Sequence, residues 1–303
     1  MFPGQGSQYV GMGKDIYQHF SEVKEVFDMA SDVLGYDLTK ICFYGTEDVI
    51  NQTVNTQPLL LTVSMAIQAV FDKNGIAARA ALGHSLGEYS ALVYAKVLKF
   101  DKALKLVMLR GQYMQEVAAG RGGMAAILGL DRSTVDEICH DISKEHIVEA
   151  VNYNCPGQIV IAGTKEGLEA ALEKAKTAGA RKCVMLSVSG PFHSSLMKLA
   201  GEKLADHIDS LEISDFNIPV ISNVSADYMT KDHVKDLLIK QVYSPVRWQE
   251  GIERILNDGY DVFVEVGPGK VLTGLLKRIN KKAVALNASD VSSIENSIKK
   301  LLG

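Results

Sequence analysis

Tryptophan occurs once and proline only seven times in 303 residues, and no low-complexity linker or internal repeat divides the chain. The four cysteines, Cys42, Cys139, Cys155 and Cys183, stand far apart. None of the paired spacings of a zinc site or a redox dithiol is present, so reduced thiols and no bound metal are expected. Neither sign of charge dominates: 32 basic against 36 acidic residues leave a net charge of -4. Without a basic excess to neutralise phosphates, nucleic acid is not expected as the main partner. No uninterrupted apolar run reaches about 18 residues, and no basic segment followed by an apolar one opens the chain, so neither a membrane span nor a secretory signal is expected. A cytoplasmic location follows. What is present is an ordinary globular composition, 47% hydrophobic and 22% charged. The length suits one large domain carrying a smaller inserted one.

From Lys14 to Leu34, apolar residues recur at three- and four-residue spacing up to Gly35, which predicts one amphipathic helix. A second helix is expected from about Thr56, with Pro58 in its first turn, to Gly75. A short apolar run, Ala80 to Gly83, then meets Ser85, after which helical periodicity resumes at Leu86, and another helix follows over about Asp101–Ala118. Between Gly122 and Ser189 the rhythm changes. The runs MAAILGL, EAVNYN, QIVIAG and KCVMLSV alternate with helical segments in the order βαββαβ, the split ferredoxin-like unit. The expected architecture is therefore α/β: a large, hydrolase-like domain with a mostly parallel sheet, residues 1–121 and 190–303, and a ferredoxin-like insert, residues 122–189. After the insert come a helix from about Ser194 to Leu211, the strand-like IPVISNV, two further helical stretches, the strand DVFVEV and a closing helix after GPGK.

Gly83-His84-Ser85-Leu86-Gly87 lies between a strand and a helix. A serine hydroxyl is a weak nucleophile that needs exposure, a base and donors for the oxyanion it generates. Small residues two before and two after the serine permit the sharp turn that lifts its oxygen out of the sheet edge. The helix starting at Leu86 points its free N–H groups at the same spot, making the Leu86 N–H a natural oxyanion donor. A glycine-rich turn with an incidental serine is the alternative. Among the seven histidines, His140, His146, His207 and His233 sit among charged residues, and His19 falls on the polar side of its helix. His84 adjoins the serine and points to the opposite face, as a packed histidine would. His193 follows an apolar strand and Gly190-Pro191 and precedes a helix, which places it in a loop at a strand end, where α/β sheets hold active-site groups. Arg110 lies in a helix apolar nearly all round, so it is expected to be buried and to need an anion, either Glu88 or a substrate carboxylate. The loops PGQGSQ and GPGK lack the spacing of phosphate-binding fingerprints. Nothing around Cys155 is activating.

FPGQGSQ at 2–8, TQPLL at 56–60, GHSLGEYSAL at 83–92, Arg110, NCPGQIVIAG at 154–163, GPFHSSLM at 190–197, QVYSPVRW at 241–248 and EVGPGKVL at 265–272 occur in one order. Together they closely resemble the malonyl-CoA:acyl carrier protein transacylases of bacterial fatty-acid synthesis, over essentially the whole chain. The resemblance implies that Ser85 carries the malonyl group as an ester, with His193 as its base, oriented by a backbone carbonyl in the segment of Gln241. It implies oxyanion N–H groups from Gln5 and Leu86, and an Arg110 that binds the free malonyl carboxylate. Gln57 and Asn154 fall in motifs near the site. Malonyl-CoA is then substrate, no cofactor is held permanently, and acyl carrier protein is the partner; Lys277, Arg278, Lys281 and Lys282 are candidates to receive its acidic surface. The chain opens at Met1-Phe2, where members of this family place a few more residues in a strand, so either the start is trimmed or the first strand is short, which bears on the position of Gln5. A polyketide-type acyltransferase with another acyl preference, a serine esterase and a non-catalytic carrier-binding module are the alternatives.

Overall fold

The computed structural model describes residues 1–303. Its first helices are α1 (Lys14–His19), α2 (Ser21–Leu34), α3 (Leu38–Tyr44), α4 (Glu47–Ile50) and α5 (Thr53–Lys73). The single helix expected over Lys14–Leu34 is two. Phe20 takes an extended conformation between them, and Tyr17 of α1 then packs edge-on against Phe27 of α2 at 5.5 Å. Helical spacing continues across the break, which is why periodicity does not mark it. Helix α5 starts a turn earlier than expected, leaving Pro58 inside it. By length and composition α5 is also apolar enough to cross a membrane, against the expectation that no segment is. The structure explains its composition otherwise: 83% of its most apolar stretch is buried inside the protein.

Next come β1 (Ala81–Leu82), α6 (Gly87–Tyr94) and α7 (Phe100–Ala118). The insert follows as β2 (Gly123–Leu128), α8 (Arg132–Ile142), β3 (Val148–Cys155), β4 (Gln158–Gly163), α9 (Lys165–Thr177) and β5 (Lys182–Met185). These strands form one antiparallel sheet in the order β3-β4-β2-β5, the ferredoxin-like order, with its own apolar core under α8 and α9. The chain continues through α10 (Lys198–Asp209), β6 (Val220–Ile221), α11 (Val234–Gln241), α12 (Trp248–Asn257), β7 (Val262–Val266), α13 (Val271–Ile279), β8 (Val284–Ala288) and α14 (Val291–Leu302). Strand β8 and helix α14 extend the chain beyond the single closing helix expected after GPGK.

The large layer is a parallel sheet in short pieces. β1 pairs with β6, and β7 with β8. Met1 and Phe2 fill the slot between the two pairs: the Val266 N–H donates to Met1 O, the Phe2 N–H to Leu82 O and the His84 N–H to Phe2 O, at 2.8, 3.0 and 3.0 Å. Those two residues fix where the PGQGSQ loop begins. Helices α5 and α6 pack on this layer, and α2 and α7 pack against α5, around the main apolar core.

Candidate active site

The five residues of GHSLG fold as they do because three backbones meet there. A Cβ on Gly83 would lie 1.9 Å from the carbonyl of Gly87, and one on Gly87 would lie 2.0 Å from Phe2 O. Only hydrogen fits at either place. The turn drives Ser85 to φ +50°, a region that side-chain-bearing residues seldom adopt and that clusters at functional sites. Gly87→Ala is expected to lower stability by about 3 kcal/mol and to impair the site with it, because the new methyl meets backbone that cannot swing aside. Urea unfolding monitored by circular dichroism checks this; an unchanged midpoint would contradict it.

His193 is a second non-glycine residue in the left-handed region, at φ +65° in the loop before α10. The two strained residues face each other, with Ser85 Oγ 2.8 Å from His193 Nε2. The other ring nitrogen, Nδ1, lies 2.8 Å from the backbone carbonyl of Gln241 at the end of α11. A carbonyl only accepts, so Nδ1 carries the proton and Nε2 is free to accept the Ser85 hydroxyl proton. The orienting group is uncharged and offers no anion to hold an imidazolium. Burial, and secondly the nearby Arg110 cation, push the His193 pKa down to about 3.

Arg110 reaches this pair from α7. Its neighbour Gly111 lets α7 lie against the start of α5, where a Cβ would meet Thr53 O at 2.6 Å, and that contact brings Gln57 within reach. Arg110 is 1% exposed, with Nη1 donating to Gln57 Oε1 at 2.8 Å and Nη2 donating to Gln241 Oε1 at 2.9 Å and to Ser85 Oγ at 3.2 Å. Its Nε has no partner, and the guanidinium sits 5.4 Å from the Tyr89 ring centroid. Both acceptors that grip it are neutral amides. Glu88, the carboxylate that the sequence offers as a counter-ion, is turned elsewhere: Oε2 accepts the Asn223 N–H at 2.6 Å, and burial raises its pKa to about 8. A buried guanidinium without a carboxylate partner is an uncompensated charge, a state that a protein interior tolerates poorly.

The backbone N–H groups of Gln5 and Leu86 make no hydrogen bond within the chain. Both residues line a cavity of about 180 Å³ together with Ser85, Arg110 and His193. Its far wall comes from the antiparallel sheet, through Met124, Asn152, Asn154, Gln158 and Val160. Of the two residues drawn from motifs alone, Gln57 holds Arg110, and Asn154 Oδ1 lies 2.9 Å from His84 Nε2. His84 packs on Trp248 and points away from the serine's partners. Cys155 is buried beside Trp248, with its thiol pKa raised by burial. Lys277, Arg278, Lys281 and Lys282 are all exposed, and Arg278 donates to Oε1 of Gln158, a residue that lines the cavity.

Three contributions were not legible in the sequence: the Gln241 side chain, which links Arg110 to Ser85 O; Gly111; and Asn223, which bonds to the elbow itself. Asn223 stands directly after the apolar IPVIS run, at the strand end where such sheets hold functional groups. That position was its only sequence signal.

A strained serine, a neutral base bonded to it and two free N–H groups, one at a helix start and one in a glycine-rich loop, are the equipment of an acyl-transfer enzyme. The model of the acyl transferase domain family matches residues 1–299. The malonyl CoA-acyl carrier protein transacylase of Bacillus subtilis is 47% identical, with 99% of this chain and 96% of that protein covered. The one from Haemophilus influenzae is 45% identical, with 100% and 98% covered. Among solved structures, the acyl-carrier-protein S-malonyltransferase of Burkholderia pseudomallei superposes with a TM-score of 0.96 at 44% identity, with 98% of each chain covered. A malonyl-transacylase solved in complex with its type II PKS acyl-carrier protein gives 0.96 at 44% identity, with 99% and 98% covered. This chain belongs to the acyl transferase family.

Proposed function

We propose that the protein transfers the malonyl group of malonyl-CoA to the phosphopantetheine thiol of acyl carrier protein through a malonyl ester on Ser85. The observation that carries the malonyl assignment is Arg110, a buried cation 3.2 Å from the nucleophile oxygen and held only by neutral groups. The free carboxylate of a malonyl ester hangs two carbon atoms beyond the ester carbonyl, within the reach of that guanidinium. An esterase for uncharged esters has no use for such a cation. The names of the relatives in Bacillus subtilis and Haemophilus influenzae support the same substrate pair.

The chemistry divides into two half-reactions. In the first, the Ser85 hydroxyl gives its proton to His193 Nε2 as Oγ attacks the thioester carbon. Negative charge gathers on the thioester oxygen, where the Leu86 and Gln5 N–H groups receive it. The intermediate collapses by breaking the carbon–sulfur bond, and the coenzyme A thiolate leaves with the proton from His193. In the second, the carrier thiol gives its proton to His193, its sulfur attacks the ester carbon, and Ser85 Oγ leaves and regains a proton. No step calls on a cofactor or a metal. The cavity at the serine is small for a long acyl chain, and coenzyme A and the carrier extend beyond it in turn.

We assign residues 1–121 and 190–303 to the catalytic unit and 122–189 to the insert, whose sheet supplies the far cavity wall. Arg278, which bonds to Gln158 of the cavity lining, and the exposed Lys277, Lys281 and Lys282 form the face offered to the acidic carrier. The cysteines are all unpaired, which fits a reducing cytoplasm and a role in fatty-acid synthesis there. The test is malonyl transfer from malonyl-CoA to phosphopantetheinylated carrier protein. Wild type is expected to form malonyl-carrier, and Ser85→Ala none above background; transfer undiminished in Ser85→Ala would overturn the mechanism.

A further inference from the structure

The parallel register of β1 with β6, Leu82 opposite Ile221, sets Asn223, two residues past the end of β6, beside the elbow. The Asn223 side chain is buried and clasps it at two points: Nδ2 donates to Gly83 O, and Oδ1 accepts the Ser85 N–H, each at 2.7 Å. The partners fix the orientation of the amide, since a carbonyl only accepts and an N–H only donates. Asn223 is itself held, its N–H donating to Glu88 Oε2 and its carbonyl accepting the Arg247 N–H at 3.0 Å. On the other side, Gln241 Nε2 donates to Ser85 O at 3.0 Å. Both backbone polar groups of Ser85 are therefore engaged by side-chain amides.

We infer that Asn223 is a positioning residue for the transfer reaction, a two-point clasp that holds Ser85 in its left-handed conformation and so aims Oγ at His193 Nε2. The inference rests on the reading of Ser85 as the acylated residue. The strain at φ +50° persists only where surrounding structure over-determines it. With the clasp gone, Ser85 relaxes toward negative φ and Oγ leaves its 2.8 Å contact with His193. The clasp also occupies the Ser85 N–H, which leaves oxyanion binding to Leu86 and Gln5. An amide is required because one planar group must present a donor and an acceptor side by side. An ionised aspartate presents two acceptors and sets one against Gly83 O; a protonated one restores the donor.

The experiment measures the rate of malonyl-Ser85 formation by rapid quench and mass spectrometry, with KM for malonyl-CoA, in wild type, Asn223→Ala and Asn223→Asp. Asn223→Ala is expected to slow acylation by about a hundredfold and to leave KM within about twofold, because Arg110 keeps its bonds to Gln57 and Gln241, neither of which is bonded to Asn223. Asn223→Asp is expected to be slow near pH 8 and to recover about tenfold relative to wild type toward pH 5 as its carboxyl gains a proton. The charged and ionisable groups around that carboxyl, Glu88 of α6, His84 of the elbow and Arg247 ahead of α12, are present in both proteins, so the wild-type profile is the reference for the ratio. A purely structural role would instead lower yield and thermal stability with no pH-dependent recovery. Acylation at the wild-type rate in both variants, a loss confined to KM, or a constant Asp-to-wild-type ratio across that pH range would each overturn the clasp. Should Asn223→Ala not fold, the isosteric Asn223→Asp decides alone. A wild-type protein that forms no adduct on Ser85 would instead overturn the proposed function.

Discussion

Arg110→Ala is expected to lower kcat/KM for malonyl-CoA by about a hundredfold to a few thousandfold while acetyl-CoA is used as well as before or better. The magnitude is that of removing one partner of a buried, charge-assisted pair, about 3–5 kcal/mol, at 1.4 kcal/mol per tenfold. The asymmetry between substrates follows from the way Arg110 is held. Arg110 is held by Gln57 and Gln241, which position it without neutralising it. A malonyl group completes the pair; an acetyl group places a methyl there and leaves the guanidinium buried and unanswered. Sites built around an unpaired polar group reject the ligand that cannot pair with it, and that rejection disappears when the group is removed. Arg110→Lys keeps the charge and loses the planar fork, so its selectivity is expected to fall between the two. Competition between the two thioesters, read as malonyl- and acetyl-enzyme by mass spectrometry, gives the ratio directly. If both substrates lost rate equally, Arg110 would be serving the serine and not the carboxylate.

The second large effect concerns the base. His193→Ala is expected to slow formation of the acyl-enzyme by about 10³- to 10⁴-fold, with little change in malonyl-CoA binding. The wild-type pH profile carries the finer claim. A general base must be neutral, and it is neutral above its pKa. An ordinary histidine would lose activity as pH falls through about 6.5. Burial and the Arg110 cation hold His193 down to about 3, so kcat/KM for acylation is expected to stay level through pH 5 and to fall only well below it. An acid limb centred near 6.5 would show that the imidazole is not in the neutral, buried state described here. The Gln241 carbonyl works in the opposite direction and favours the protonated ring, though less than a carboxylate in its place would.

How far these features could be read without coordinates depends on the range of the interactions behind them. The elbow at Ser85 was legible because its glycines answer a local demand, namely backbones that approach too closely for any Cβ. The βαββαβ insert was legible because side-chain period changes from helix to strand and back within 70 residues or so, and strand order then follows from a compact known arrangement. The break at Phe20 was not, since the same apolar stripe continues on both sides of it. Strand β6 is two residues long, and β8 and α14 escaped notice at the end of the chain. The partner of Arg110 was undecidable from sequence between Glu88 and a ligand. Only the packing of α5 on α7, and the turning of Glu88 toward Asn223, separates those readings. Asn223 and the Gln241 side chain act across 138 and 156 residues of sequence, through a sheet register and a helix end that no local pattern encodes.

The central claim, a malonyl ester on Ser85 gripped by Arg110, is tested most directly by one measurement. Protein incubated with malonyl-CoA alone, acid-quenched and analysed by intact and peptide mass spectrometry, is expected to gain a single malonyl group, located on Ser85. The same adduct is expected to vanish when carrier thiol is added before quenching. No adduct under these conditions, or one that forms equally in Ser85→Ala, would contradict the account.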